Sequence, residues 1–126
     1  MIRVLVVDDS ALVRRLVTTS LSLDPEIEVI AQAKNGAEAV QLTRELRPDL
    51  VTMDIHMPTM DGLEATRRIR ESETLGGRSR IPVIMLTANA LPEHVAASHA
   101  AGADRHLEKP VTLAGLLEAL NEALEP

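Results

Sequence analysis

Five short apolar runs, at 2–7, 27–33, 49–53, 81–86 and 103–108, alternate along the chain with stretches of helical period. Most of the runs are β-branched and nearly continuous rather than strictly alternating, the pattern of strands covered by helices on both faces. In the helical stretches apolar residues recur at steps of three and four. Leu113, Leu116, Leu117, Leu120 and Leu124 form one stripe near the end of the chain, and Leu12, Val13, Leu16, Val17 and Leu21 form another near its start. Asn35 and Asp61 each precede a glutamate by three residues, and Thr112 opens the last leucine stripe, so all three read as helix N-caps. Residues 71–80, with mixed charges around Gly76-Gly77, read as a flexible connection. Strand and helix alternating five times predict a doubly wound α/β fold, with parallel strands joined by right-handed crossovers.

At 126 residues the chain is expected to form a single domain, 1–126, able to bury a core without disulfides or structural metal. Composition then narrows the chemistry. Cysteine is absent, which removes thiol catalysis and thiolate metal ligands. Phe, Tyr and Trp are also absent, which removes base-stacking platforms, flavin-sandwiching rings and aromatic cages. A net charge of −6 argues against direct nucleic-acid binding. No apolar run is long enough to cross a membrane and the start lacks a signal-peptide layout, so a cytoplasmic protein is expected.

In a doubly wound fold, ligands bind at the carboxyl ends of the strands. The first run ends in Asp8-Asp9, the third in Asp54, the fourth in Thr87 and the fifth in Glu108-Lys109-Pro110. Taken singly, each has a structural reading; Asp9 or Ser10, for instance, would serve as a helix cap. Taken together, three carboxylates at one sheet edge repel one another unless a hard divalent cation is present, and an all-oxygen ligand set favours Mg²⁺. Mg²⁺ commonly shares its shell with a phosphoryl oxygen. Lys109 would neutralise a second oxygen and the Thr87 hydroxyl would donate to a third. Asp54 is then the natural nucleophile, since a carboxylate can attack phosphorus to give an aspartyl phosphate.

The residues that carry this chemistry resemble a known family. Val6-Val7-Asp8-Asp9-Ser10, Asp54-Ile55-His56-Met57-Pro58, Asp61-Gly62, Leu86-Thr87-Ala88, Gly102-Ala103-Asp104 and Lys109-Pro110 occur in the order and spacing of the receiver domain of two-component response regulators. The resemblance spans the whole chain. It implies a CheY-like, flavodoxin-like five-stranded sheet in the order 2-1-3-4-5, with Asp54 as phosphoacceptor. It also implies Mg²⁺ held by Asp9 and Asp54 directly, by Asp8 largely through water, and by the backbone carbonyl of His56. Thr87 and Lys109 would bind phosphoryl oxygens, and Lys109-Pro110 would be a cis peptide. A histidine kinase or phosphotransfer protein would donate the phosphoryl group, and the modified domain, a monomer or weak dimer, would switch a docking surface for a protein target.

One position departs from the family pattern. The aromatic residue usual three places before the lysine, which turns inward when the Thr87 position moves, is here His106. A histidine can swing and hydrogen-bond but also charges near neutral pH, so it would serve as a pH-sensitive switch or stand exposed with no switching role. His56 and Asn89, each two places after a motif residue, would tune the lifetime of the phosphoryl group, while His94 and His99 read as solvated helix positions. Some segments are similar to chemotaxis methylesterase receivers and others to receivers of hybrid histidine kinases. Stand-alone and excised forms both remain open. Two other functions were weighed against this one: a small Mg²⁺-dependent phosphohydrolase with an aspartyl-phosphate intermediate, which wants an acid where His56 stands, and a flavodoxin-like mononucleotide binder.

Overall fold

A computed structural model describes residues 1–88 and 91–124; Asn89 lies outside the described residues. The elements run β1 (Ile2–Val7), α1 (Ala11–Ser22), β2 (Ile27–Ala33), α2 (Gly36–Leu46), β3 (Leu50–Asp54), α3 (Gly62–Gly76), β4 (Val83–Thr87), α4 (Pro92–Ala101), β5 (Arg105–Glu108) and α5 (Leu113–Leu124). All strands are parallel and the sheet order is β2-β1-β3-β4-β5, as expected.

The central strands β1, β3 and β4 are buried through most or all of their length because both faces are covered. Successive residues point to opposite faces. Leu5, Val7, Val51, Met53, Val83 and Met85 therefore pack with Ala39, Val40, Ala65 and Ile69 of α2 and α3. Val4, Val6, Leu50, Ile84 and Leu86 pack with Val17 and Leu21 of α1 and Leu116 and Leu120 of α5. The chain exposes 6608 Å². A mass of 13.7 kDa predicts about 6,600 Å², so aliphatic and methionine side chains close the two cores without any ring.

Local chemistry sets the helix ends. Ser10, Asn35 and Asp61 accept the amides of Val13, Glu38 and Glu64 at 3.2, 2.9 and 2.8 Å, and Thr112 accepts that of Gly115 at 3.0 Å. The caps read at Asn35, Asp61 and Thr112 are therefore present, with Ser10 as a fourth.

Two expectations need correction. Residues 71–80 are not a flexible connection throughout: α3 continues to Gly76, and Gly77 ends it in the left-handed region at φ 63°. The extension is held by Glu73, whose buried carboxylate pairs with Arg70 at 2.9 Å and accepts the Ile81 amide at 2.7 Å. The α1 stripe is not one face. Val13, Val17 and Leu21 lie in one row of step four and face the sheet, whereas Leu12 and Leu16 lie in the adjacent row, about 100° around the helix, and are 64% and 57% exposed. The edge strands β2 and β5 are only partly buried, since the sheet ends there, which agrees with the reading that most rather than all of the runs are covered on both faces.

Candidate functional site

At the carboxyl edge of the sheet, β1, β3, β4 and β5 deliver Asp8-Asp9, Asp54, Thr87 and Lys109 to one place. Asp8 and Asp54 are 2% and 4% exposed, Thr87 is fully buried, and Asp9 faces outward. One carboxylate oxygen from each of Asp8, Asp9 and Asp54 lies within 4.8 Å of the other two. Lys109 Nζ reaches between two of them, donating to Asp8 Oδ2 at 2.9 Å and to Asp54 Oδ1 at 3.1 Å.

The backbone around the site is built for this approach. The Ser10 amide donates to Asp8 Oδ1 at 2.9 Å, so the strand-to-helix turn orients that carboxylate. Arg14 donates from its guanidinium to the Asp8 carbonyl at 2.6 Å. Behind Asp54, the Gly62 amide donates to the Ile55 carbonyl at 2.8 Å, and a Cβ at Gly62 would fall 2.2 Å from the Asp54 carbonyl oxygen. Only glycine permits that packing of the α3 start beneath β3. The Lys109 amide donates to the Thr87 carbonyl at 2.7 Å, tying the two strand ends together, and Lys109-Pro110 is cis.

Burial is the main cause that raises the Asp54 pKa above its ordinary value, with the neighbouring Asp8 charge next; Lys109 opposes both but is shared between two carboxylates. For Lys109, burial alone would lower the pKa, yet hydrogen bonds to Asp8 and Asp54 outweigh it and hold the ammonium above its usual range. The centre thus has two buried carboxylates, a third at the rim, and one fixed cation. An all-oxygen donor set with surplus negative charge suits a small hard divalent ion, and the residues present fit Mg²⁺.

His56 is exposed in the loop after β3, two residues beyond Asp54. His106, on β5, is half-buried and its Nδ1 lies 3.1 Å from Ser98 Oγ. Ser98 itself donates to the His94 carbonyl at 3.1 Å, so its oxygen accepts from His106 and the proton of the neutral ring is assigned to Nδ1. The other ring nitrogen, Nε2, is buried without a hydrogen-bond partner among the described residues. Burial, then the neighbouring His99 and His94, lowers the His106 pKa. Thr87 and His106 therefore lie on adjacent strands, but His106 is engaged with α4.

Sequence reasoning passed over Ser10 as an orienting amide, Gly62 as a point of close approach, and the exposed Leu12 and Leu16. The last was readable, because two rows of step four cannot both face one sheet.

Comparison with known proteins agrees with this geometry. The response regulator receiver domain family matches residues 4–121. Among curated relatives, a protein-glutamate methylesterase/protein-glutamine glutaminase of Nocardioides sp. is 45% identical over 99% of this chain but only 34% of its own length. The chain thus spans about a third of that relative. The response regulator domain of Thermotoga maritima CheB superposes with a TM-score of 0.87 at 32% identity, covering 100% of this chain and 99% of that one. CheY in the CheX-CheY-BeF3-Mg²⁺ complex of Borrelia burgdorferi superposes with a TM-score of 0.90 at 28% identity, covering 99% and 90%. With strand order, acidic cluster and family match in agreement, the chain belongs to the response regulator receiver domains, proteins of phosphoacceptor signalling.

Proposed function

We propose that Asp54 is the residue phosphorylated, that Mg²⁺ is the cation, and that the donor is the phosphohistidine of a histidine kinase or phosphotransfer protein. The observation that carries this reading is the buried Asp54 carboxylate, set 3.1 Å from Lys109 Nζ and within 4.8 Å of Asp8 and Asp9. Asp8, Asp9, Asp54 and the His56 backbone carbonyl would hold the ion. When bound, Mg²⁺ neutralises charge on the carboxylates and on the incoming phosphoryl oxygens.

The chain's own residues do the rest. Asp54 is aimed by the strand; an oxygen of its carboxylate form makes the new O–P bond while the P–N bond to the donor imidazole breaks, its electron pair returning to nitrogen. Lys109 follows the charge from carboxylate to phosphoryl oxygen, and the Thr87 hydroxyl donates to another oxygen. Movement of Thr87 then biases the β5 surface through His106, and His56 and Asn89 govern access of hydrolytic water. The domain turns over no separate substrate; it catalyses only its own phosphorylation and dephosphorylation, in the cytoplasm.

The donor docks at the exposed row of α1. Leu16 joins Val13, Lys109, Pro110 and Val111 around a groove of about 330 Å³ beside the site, with Leu12 next to it. Apolar side chains left in water next to a charged centre suit a helical partner that must present a histidine to Asp54. The reading is tested with beryllofluoride and Mg²⁺ followed by amide NMR. Saturable shifts around Asp54 are expected in the parent and none in Asp54→Asn; an equal response in the variant refutes it.

A further inference from the structure

The opposite edge of the sheet, where β3 and β4 begin, carries a second cavity of about 330 Å³ between the ends of α2 and α3. Val40, Ile69 and Ile81 give it an apolar lining, and four exposed arginines, Arg44, Arg47, Arg78 and Arg80, surround it. Its two carboxylates are already engaged. Glu73 is held by Arg70 and the Ile81 amide, and Asp49 accepts the Arg3 amide at 2.8 Å. Arg80 pairs with Asp104 at 3.1 Å, whereas Arg44, Arg47 and Arg78 form no ion pair among the described residues.

In a chain of net charge −6, three arginines without an ion pair on one cavity are not a by-product of a basic surface. Two of them are also tied down. Arg44 Nε donates to Ser72 Oγ at 3.0 Å, and the Arg78 guanidinium donates to the Arg44 carbonyl at 3.2 Å. Gathering like charges around one cavity is unfavourable unless an anion joins them. Two further features point to a ligand. Thr43, on the cavity wall and 4% exposed, has a buried hydroxyl with no hydrogen-bond partner among the described residues. Arg47 occupies the left-handed region, φ 46° and ψ 64°, at a helix end where glycine or asparagine is the ordinary choice.

We propose that this cavity binds a small polyanion carrying two adjacent phosphoryl groups, independently of the Asp54 centre. Guanidinium forks match phosphoryl oxygens in pairs, and three guanidinium groups without an ion pair match the charge of a diphosphate. The apolar lining accommodates a small organic remainder, and with no aromatic residue in the chain, recognition rests on the charged groups rather than on a stacked ring.

The test is titration of pyrophosphate into metal-free protein, by calorimetry and amide NMR, with sulfate at matched ionic strength as reference. Saturation below about 10 mM is expected, with shifts confined to the cavity and sulfate weaker by about tenfold or more. Arg47→Gly suits the left-handed backbone, so it leaves the fold intact yet weakens binding by about tenfold. Arg44→Gln with Arg78→Gln weakens it further, and Asp54→Asn leaves it unchanged. Equal response to sulfate, undiminished binding in both arginine variants, or loss of binding in Asp54→Asn overturns the proposal.

Discussion

Replacing Lys109 with methionine isolates the electrostatics of the site, because it keeps the length of the stem and removes only the charge. With an effective dielectric of about 20, the 2.9 and 3.1 Å contacts to Asp8 and Asp54 each contribute about 5–6 kcal/mol of attraction, and carboxylate oxygens within 4.8 Å of one another repel by about 3 kcal/mol or more. Desolvation of the three charges offsets much of the attraction in the parent. In the variant the repulsion remains and its compensation is gone. Breaking a buried pair in this way costs about 3–5 kcal/mol, and the partial exposure of Lys109 reduces that to about 2–4 kcal/mol. At this chain length the loss lowers Tm by about 8–16 °C at pH 7. Far-UV circular dichroism is the readout, since the chain has no Trp, Tyr or Phe to report tertiary change.

The sign of the rescue follows from Asp54. Its pKa is raised in the folded state by burial and by Asp8, so between the unfolded value and the folded one the native protein holds more protons, and stability rises as pH falls through that window. Without Lys109 this rise is steeper. Mg²⁺ at neutral pH is expected to act in the same direction, because the proposed site for it exists only in the folded cluster. A variant as stable as the parent at pH 7, or a deficit that neither acid nor Mg²⁺ reduces, refutes the reasoning.

Three further outcomes are expected. Gly62→Ala sets a Cβ 2.2 Å from the Asp54 carbonyl; overpacking of about 1–3 kcal/mol exceeds the helix gain of at most about 1 kcal/mol, so urea denaturation shows a net loss, and a stabilised variant contradicts the close approach. His106, whose pKa is lowered by burial and by His99 and His94, makes the parent lose stability as pH falls below about 6.5, because the unfolded chain protonates first; the difference between parent and His106→Gln at pH 7.5 and 5.5 reveals this, and a constant difference rejects it. Leu12→Ser with Leu16→Ser changes stability by no more than about 0.5 kcal/mol per site, yet slows transfer from a phosphohistidine donor about tenfold while acetyl phosphate is used as before; equal slowing of both reactions places the effect at Asp54 instead.

What the sequence revealed depended on whether a local pattern had one geometric solution. The parallel sheet and its acidic edge did, because Asp8, Asp54, Thr87 and Lys109 each close an apolar run whose direction the crossovers dictate. Caps at Asn35 and Asp61 did as well. The end of α3 did not, since Glu71 and Glu73 look alike in sequence and only packing shows that Glu73 turns inward to Arg70 and Ile81. Arg44, Arg47, Arg78 and Arg80 are likewise spread over separate segments and meet only when β3 and β4 lie side by side. The tautomer of His106 depends on Ser98, a contact between α4 and β5 that no pattern encodes.

Strand β1 can also be viewed as a ruler. Its even-numbered residues, Val4 and Val6, belong to one core, and its odd-numbered residues, Leu5 and Val7, belong to the other. Deleting one residue exchanges the two sets and shortens the strand by about 3.3 Å. That displacement exceeds the slack of the 2.9 Å bond between Asp8 and Lys109. Evolution can therefore vary the side chains of β1 more freely than its length, since any change of count would unmake both cores and withdraw a carboxylate from the centre in the same event.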